Sequence, residues 1–296
     1  MRTVAGALLV LAALEASPAA AQDITLPRRP RSIRFAVIGD AGTGDRPAYE
    51  TAARITAAHQ KFPFTFAILL GDNLYGSERP QDFERKFSRP YQALLDAKVE
   101  FYAALGNHDD QNQRFYKPFN MGGERYYTFR KGNVRFFVVD SNYLDPDQVK
   151  WLDQQLGASG SDWKIVYFHH PIFTTARRGP AIELRRVLEP LFIKHGVNVV
   201  FAGHEHAYER LEPQNGVYYF TSGGGAKLNR GTVRDTDLTA KVYDADRHFM
   251  LVEIVGNALY FQAINRTGET VDRGAIQRQQ SITRPTQRKP PARPRP

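Results

Sequence analysis

The chain contains no cysteine among its 296 residues. That absence excludes disulfide frameworks, thiolate zinc sites, iron–sulfur clusters and cysteine nucleophiles, so any metal must be held by oxygen and imidazole nitrogen. Long apolar runs are also lacking. Only Val4 to Leu14 is continuously hydrophobic or small, and it is too short to span a bilayer. With Arg2 ahead of it and Ala19-Ala20-Ala21 behind it, the run reads as a signal peptide over residues 1–21, cleaved near Ala21. The expected product is exported, periplasmic or secreted, with no transmembrane segment, and acts as a monomer. Acids are missing from the far end. From Gln277 onward the chain carries Arg278, Arg284, Arg288, Lys289, Arg293 and Arg295 against no carboxylate, and these six account for most of the net charge of +9. A nucleic-acid-binding domain would cluster its charge on a folded face. Here the charge falls in a Pro-rich basic tail, residues 278–296, which cannot pack a core, so no specific nucleic-acid partner is expected.

What is present is a globular composition, 42% hydrophobic and 12% aromatic. After a short polar lead-in at residues 22–32, apolar segments at Ile33–Ile38, Phe64–Leu70, Glu100–Leu105, Lys164–Phe168 and Val197–Ala202 read as strands. Helical periodicity marks Pro47–Gln60, Gln81–Ala97, Asp145–Leu156 and Ala181–His195, and Lys131-Gly132-Asn133 reads as a hairpin turn between Tyr126–Arg130 and Arg135–Val139. The last third, Val217 to Ala263, alternates in short strands around the Gly-rich loop Gly223 to Gly225. There is no internal repeat.

Each of the five strands ends in a polar cluster, and ligands in open α/β sheets collect beyond the carboxyl ends of strands. Asp40, Asp72, Tyr75, Asn107, His108, His169, His204 and His206 are thereby expected on one rim. Carboxylate, phenolate, amide and imidazole form a sulfur-free donor set suited to Fe, Zn or Mn, and eight such residues exceed what one ion needs.

The ordered set Gly39-Asp40-Ala41-Gly42, Gly71-Asp72-Asn73-Leu74-Tyr75, Gly106-Asn107-His108-Asp109, Val166-Tyr167-Phe168-His169 and Gly203-His204-Glu205-His206 resembles the purple acid phosphatases of the calcineurin-like metallophosphoesterase superfamily, in their small tartrate-resistant form. The resemblance implies a four-layer αββα sandwich, two mixed β-sheets flanked by helices, with the catalytic domain at residues 33–270. It also implies a ferric ion held by Asp40, Tyr75 and His206, a divalent ion (Fe, Zn or Mn) held by Asn107, His169 and His204, and Asp72 bridging the two. Many relatives carry Asp-x-His in the first motif. Here Gly42 takes the histidine position, and Tyr75, three residues after Asp72, is expected to supply the missing donor.

The expected reaction is hydrolysis of phosphate monoesters, on small molecules or phosphoproteins, by metal-bound hydroxide. Asp40, Asp72 and Tyr75 contribute about −3 against about +5 from the ions, leaving a positive site for a phosphate dianion. His108 sits beside a ligand position and is expected to bind substrate and protonate the leaving group. His170 is expected to be structural, since neighbours on a strand point to opposite faces. Mammalian-type members carry a histidine ahead of a Gly-Pro pair where this sequence has Arg178 before Gly179-Pro180. Arginine can clamp a phosphate oxygen but not donate a proton, which moves the expected optimum towards neutral pH. The segment Asp109 to Arg114 is short, so the site is expected to be open to bulky substrates. A phosphodiesterase on the same scaffold is the alternative. A non-catalytic phosphate- or metal-binding protein would predict loss of His108 or of a metal donor, and all are present.

Overall fold

Both faces of the first predicted strand are apolar, and its packing explains why. In β1 (Ile33–Ile38), Phe35 and Val37 enter one buried cluster while Ala36 and Ile38 enter another. Successive strand side chains point to opposite faces, so β1 is covered on both sides. The structure, a computed structural model, describes residues 23–160 and 162–278. The expected signal peptide and the basic tail beyond Arg278 lie outside the described residues.

Helix α1 (Arg46–Lys61) follows, its amino end capped by Asp45, whose side chain accepts from the Ala48 amide, with proline in the first turn. Next come β2 (Phe66–Leu69), the short helices α2 (Pro80–Phe83) and α3 (Gln92–Asp96), and β3 (Glu100–Ala103). The hairpin β4 (Tyr127–Lys131) and β5 (Val134–Val138) leads to α4 (Pro146–Gly157), β6 (Trp163–Phe168), α5 (Ile182–His195) and β7 (Val199–Ala202). The remaining strands are β8 (Tyr208–Leu211), β9 (Tyr218–Ser222), β10 (Thr239–Tyr243), β11 (His248–Val255), β12 (Ala258–Asn265) and β13 (Thr270–Gln277).

These strands form two mixed sheets, ordered β13-β12-β11-β1-β2-β3 and β10-β8-β9-β7-β6-β5-β4. β1, β2 and β3 are mutually parallel, as are β5, β6, β7 and β9. The sheets face each other across a cluster in which Phe35 meets Phe136 and Phe201 edge-on, with centroids 5.4 Å and 6.4 Å apart. Ala52 and Ile55 of α1 pack on the outer face of the first sheet, and Leu152, Leu188 and Phe192 of α4 and α5 on that of the second. The layers run α, β, β, α, the architecture implied by the family resemblance.

Three local features differ from the sequence reading. The single helix expected over Gln81–Ala97 is broken into α2, a π-turn at Glu84–Ser88, and α3. Pro90 has no amide hydrogen to continue the ladder, and the Arg89 amide reaches back five residues to the Glu84 carbonyl at 2.8 Å. The lead-in is packed rather than loose: Ile24 and Leu26 are buried, and the Arg28 and Arg29 amides donate to Glu253 at 2.7 Å and 2.6 Å. Finally, β13 extends the first sheet to Gln277, although it buries only Asp272 and Ile276. An edge strand this polar has no apolar alternation to announce it.

Candidate metal centre

The carboxyl ends of β1, β2 and β3 in one sheet meet those of β6 and β7 in the other. The chain turns sharply at these ends. Asp40, Asp72 and His204 all adopt positive φ, 56°, 52° and 68°, a left-handed conformation that costs an L-residue on the order of 1 kcal/mol. Two glycines permit the close approach. A Cβ on Gly71, itself at φ +90°, would lie 2.7 Å from His169 Nδ1, and one on Gly106 would lie 2.3 Å from the Asp72 amide nitrogen.

Two groups of donors result. His169 Nδ1 lies 2.9 Å from the Leu70 carbonyl, so that nitrogen carries the hydrogen and Nε2 presents a lone pair. Nε2 faces Asn107 Oδ1 at 3.0 Å, His204 Nδ1 at 3.2 Å and Asp72 Oδ1 at 3.3 Å. His204 Nδ1 is also 2.9 Å from Asn107 Oδ1. Beyond the His108 amide, which donates to Asp72 Oδ1, at most one hydrogen, on His204, is shared among these four atoms, and the surplus lone pairs are what a cation takes up. In the second group, Asp40 Oδ1 accepts from the Tyr75 hydroxyl at 3.2 Å and lies 3.4 Å from His206 Nε2, which is 3.4 Å from the same hydroxyl. Donor atoms of Asp40, Asp72 and His206 fall within 4.8 Å of one another. Asp72 is thus in reach of both groups.

Electrostatics point the same way. Burial and the neighbouring Asp72 push the Asp40 carboxyl well above the usual carboxylate range. Burial also opposes the charge on Asp72, but His169 and the His108 amide hold that carboxyl below its ordinary value. Burial beside the two carboxylates drives the Tyr75 phenol far above its usual range. Burial lowers His169 to about 4, lowers His204 to about 3 with help from His169, and lowers His206 to about 4 with help from Arg178. Neutral imidazoles and crowded oxygens compose a site that a cation relieves, and the residues fit a two-ion centre by donor chemistry.

The other expected residues lie at the mouth. His108 is exposed, with its ring centroid 4.9 Å from that of Tyr75 and its amide donating to Asp72 Oδ1 at 3.0 Å. The exposed Arg178 donates to the His204 carbonyl. His170 departs from the alternation argument because β6 ends at Phe168, before it. Its ring lies 4.6 Å from that of His204, and its donor atom joins those of His169 and His204 within 4.8 Å.

Three supporting residues were not legible as such. Asp109 accepts from the Gly106, Leu74 and Asn73 amides at 2.8, 2.9 and 3.1 Å and from Gln113 Nε2 at 2.7 Å, tying the loop after β2 to the loop after β3. Burial and Asp72 push its carboxyl up to about 8. The buried Lys86 donates to the Tyr75 carbonyl at 2.6 Å, fixing that loop. Lys227 sets its ammonium 4.7 Å from the Tyr75 ring centroid. Position within a motif marks Asp109. Nothing local marks the two lysines: Lys86 reaches back 11 positions to the Tyr75 carbonyl, and Lys227 comes from the far end of the chain.

A family model described as calcineurin-like phosphoesterase matches residues 33–208. Tartrate-resistant acid phosphatase type 5 of Homo sapiens is 27% identical over 66% of this chain and 73% of that protein. Purple acid phosphatase 4 of Arabidopsis thaliana is 30% identical over 79% of this chain and 80% of that protein. Among solved structures the fold is similar to GAP50, described as the anchor in the inner membrane complex of Plasmodium, with a TM-score of 0.75 and 19% identity, covering 85% of this chain and 90% of that one.

Proposed function

The chain belongs to the calcineurin-like phosphoesterase family, among its purple acid phosphatases, and on that premise we propose that this hydrolase is exported and cleaves phosphate monoesters at a dinuclear Fe(III)–M(II) centre. The observation that carries the reading is the reach of Asp72. One oxygen lies 3.3 Å from His169 Nε2, and the carboxylate also stands with Asp40 and His206. Asp40, Tyr75 and His206 would hold the ferric ion; Asn107, His169 and His204 would hold Fe, Zn or Mn as the divalent ion. Asp72 would bridge them. When bound, such a pair supplies Lewis acidity and brings water within reach of deprotonation near neutral pH.

The chain's own groups do the rest. Asn107 and His108 face the solvent side, where a phosphate can enter. His108 hydrogen-bonds the ester and delivers a proton to the departing alcohol oxygen. Arg178, anchored on the His204 carbonyl, clamps a phosphate oxygen, while His108 supplies the proton. With one proton donor, the activity optimum is expected near neutral pH. A rate profile peaking below about pH 5 would remove that assignment. Export rests on the sequence of residues 1–21; among the described residues, no helix is long and apolar enough to cross a membrane.

Metal analysis with a visible spectrum tests the centre. Iron plus one further metal is expected, with a broad phenolate-to-iron band that Tyr75→Phe abolishes. A colourless, active two-zinc protein would defeat the iron assignment and keep the phosphoesterase. Turnover of p-nitrophenyl phosphate against its bis-ester separates monoesterase from diesterase, and faster cleavage of the bis-ester would favour the latter.

A further inference from the structure

A cleft of about 820 Å³ opens beside the donor groups, lined among others by Asn107, Asp110, Ser141, Asn142, Tyr143 and His170. It shares Asn107 and His170 with the wall of the centre, so an ester whose phosphate lies over Asp72 and His108 has this cleft directly beside it. Its volume falls in the range of pockets that hold ring-bearing small molecules, roughly 300–1,000 Å³.

The wall is firmly built. Ser141 Oγ lies 2.9 Å from His170 Nδ1, and Asn142 Nδ2 donates to the Leu105 and Gly106 carbonyls at 3.3 Å and 3.2 Å. The Tyr143 carbonyl accepts from Gln148 Nε2 at 3.0 Å and Arg125 Nη1 at 3.3 Å, yet Tyr143 itself is 59% exposed. A ring on a fastened backbone, standing in solvent at a cleft edge, is a ready surface for stacking or for a cation.

Charge then narrows the occupant. No lysine or arginine is among the described residues lining this cleft. Asp110 is exposed on it, and no basic side chain among the described residues lies within ion-pair distance. Arg125 is already committed to Asp140 and Asp145 at 2.6 Å and 2.8 Å. The site's cations stand elsewhere, Arg178 on the His204 carbonyl and Lys227 over Tyr75. They can serve one phosphate. A second phosphate, or a carboxylate, lying in the cleft would meet Asp110 without a counter-ion.

We propose that this cleft receives the substrate's alcohol half and selects a neutral or cationic, ring-sized alcohol over one bearing further negative charge. The inference rests on the monoesterase reading and names its substrate class. Three phenyl phosphates with para CH2–N(CH3)3+, CH2–OH and CH2–SO3− groups test it; the methylene damps but does not remove the cationic group's pull on the phenol, so the spread is read against that of Asp110→Asn, in which the leaving groups are the same. On the holoenzyme, kcat/KM is expected to fall in that order, with a spread on the order of tenfold. Asp110→Asn should narrow the spread, a ratio that does not depend on how much protein is folded. Equal or reversed rates would overturn the inference while leaving the phosphatase intact. If none of the three is hydrolysed, the phosphatase reading falls, and binding still tests the cleft. By calorimetry, the protein as purified should take up benzyltrimethylammonium and lose that binding in Tyr143→Ala. Equal binding by both proteins, or by neither, would overturn the cleft assignment.

Discussion

Tyr75 donates to Asp40 at 3.2 Å while its ring lies against His108 and under Lys227. Tyr75→Phe keeps both ring contacts and removes only the oxygen. Without metal, the variant leaves the buried Asp40 oxygen without that donor and should lose about 1 kcal/mol of stability; with metal, it should also lose part of the stabilisation that binding adds. Thermal melts with and without chelator check both halves. Asp109 is the opposite kind of residue, since it supports the site without belonging to either donor group. Asp109→Ala leaves three backbone amides without their acceptor and removes one of the two acceptors of Gln113 Nε2. Urea denaturation should show a loss of about 3 kcal/mol or more, and metal content should fall with it as the two loops separate.

At the scale of elements, what matters is how closely the strand ends approach. Gly106 faces the Asp72 amide, and an added Cβ would stand 2.3 Å from it, against backbone that cannot swing away. Gly106→Ala should abolish tight metal binding and cost several kcal/mol, on the order of the largest core substitutions. Gly122 is the control. Its φ is +65° with nothing near, so Gly122→Ala should cost only about 1 kcal/mol of backbone strain, with metal content unchanged. Metal stoichiometry and urea midpoints separate the two. The strands feeding these loops were legible because both of their faces are apolar, as at Phe35 and Val37 on one side and Ala36 and Ile38 on the other. The segment around Pro90 was not, because its apolar spacing suits a helix while one missing amide interrupts it. β13 escaped for another reason: it is held by pairing with β12, not by its own hydrophobicity.

For the molecule as a whole, the buried imidazoles set an acid limit. His169, His206 and His248 are held to about 4 and His204 to about 3, chiefly by burial. Their folded values lie below the unfolded value of about 6.5, so the unfolded chain takes up protons that the fold refuses. Their contribution is complete above about pH 6.5 and is lost as pH falls towards 4. His248 stands apart from the metal donors and should account for up to about 3 kcal/mol of that loss. Comparing urea midpoints at pH 7 and pH 5, with chelator present, His248→Gln should lose less stability than the parent. Asp40 works in the other direction: its raised pKa burdens the metal-free fold at neutral pH, and either a proton or a cation relieves it. The stabilisation added by metal should therefore be larger at pH 7.5 than at pH 5, as melts at the two values would show.

The sequence alone determined the donor types, their order and their places at strand ends. Those features follow from local chemistry: the lack of thiol, the apolar runs, and the polar residues that stop them. Only the tertiary structure decided which donors meet. The left-handed turns at Asp40, Asp72 and His204 aim their side chains at one another, and the contacts between Gly106 and Asp72 and between Lys227 and Tyr75 join residues tens of positions apart. The cleft beyond Asn107 is likewise an arrangement of loops from both halves of the chain, and its charge is a property of that arrangement.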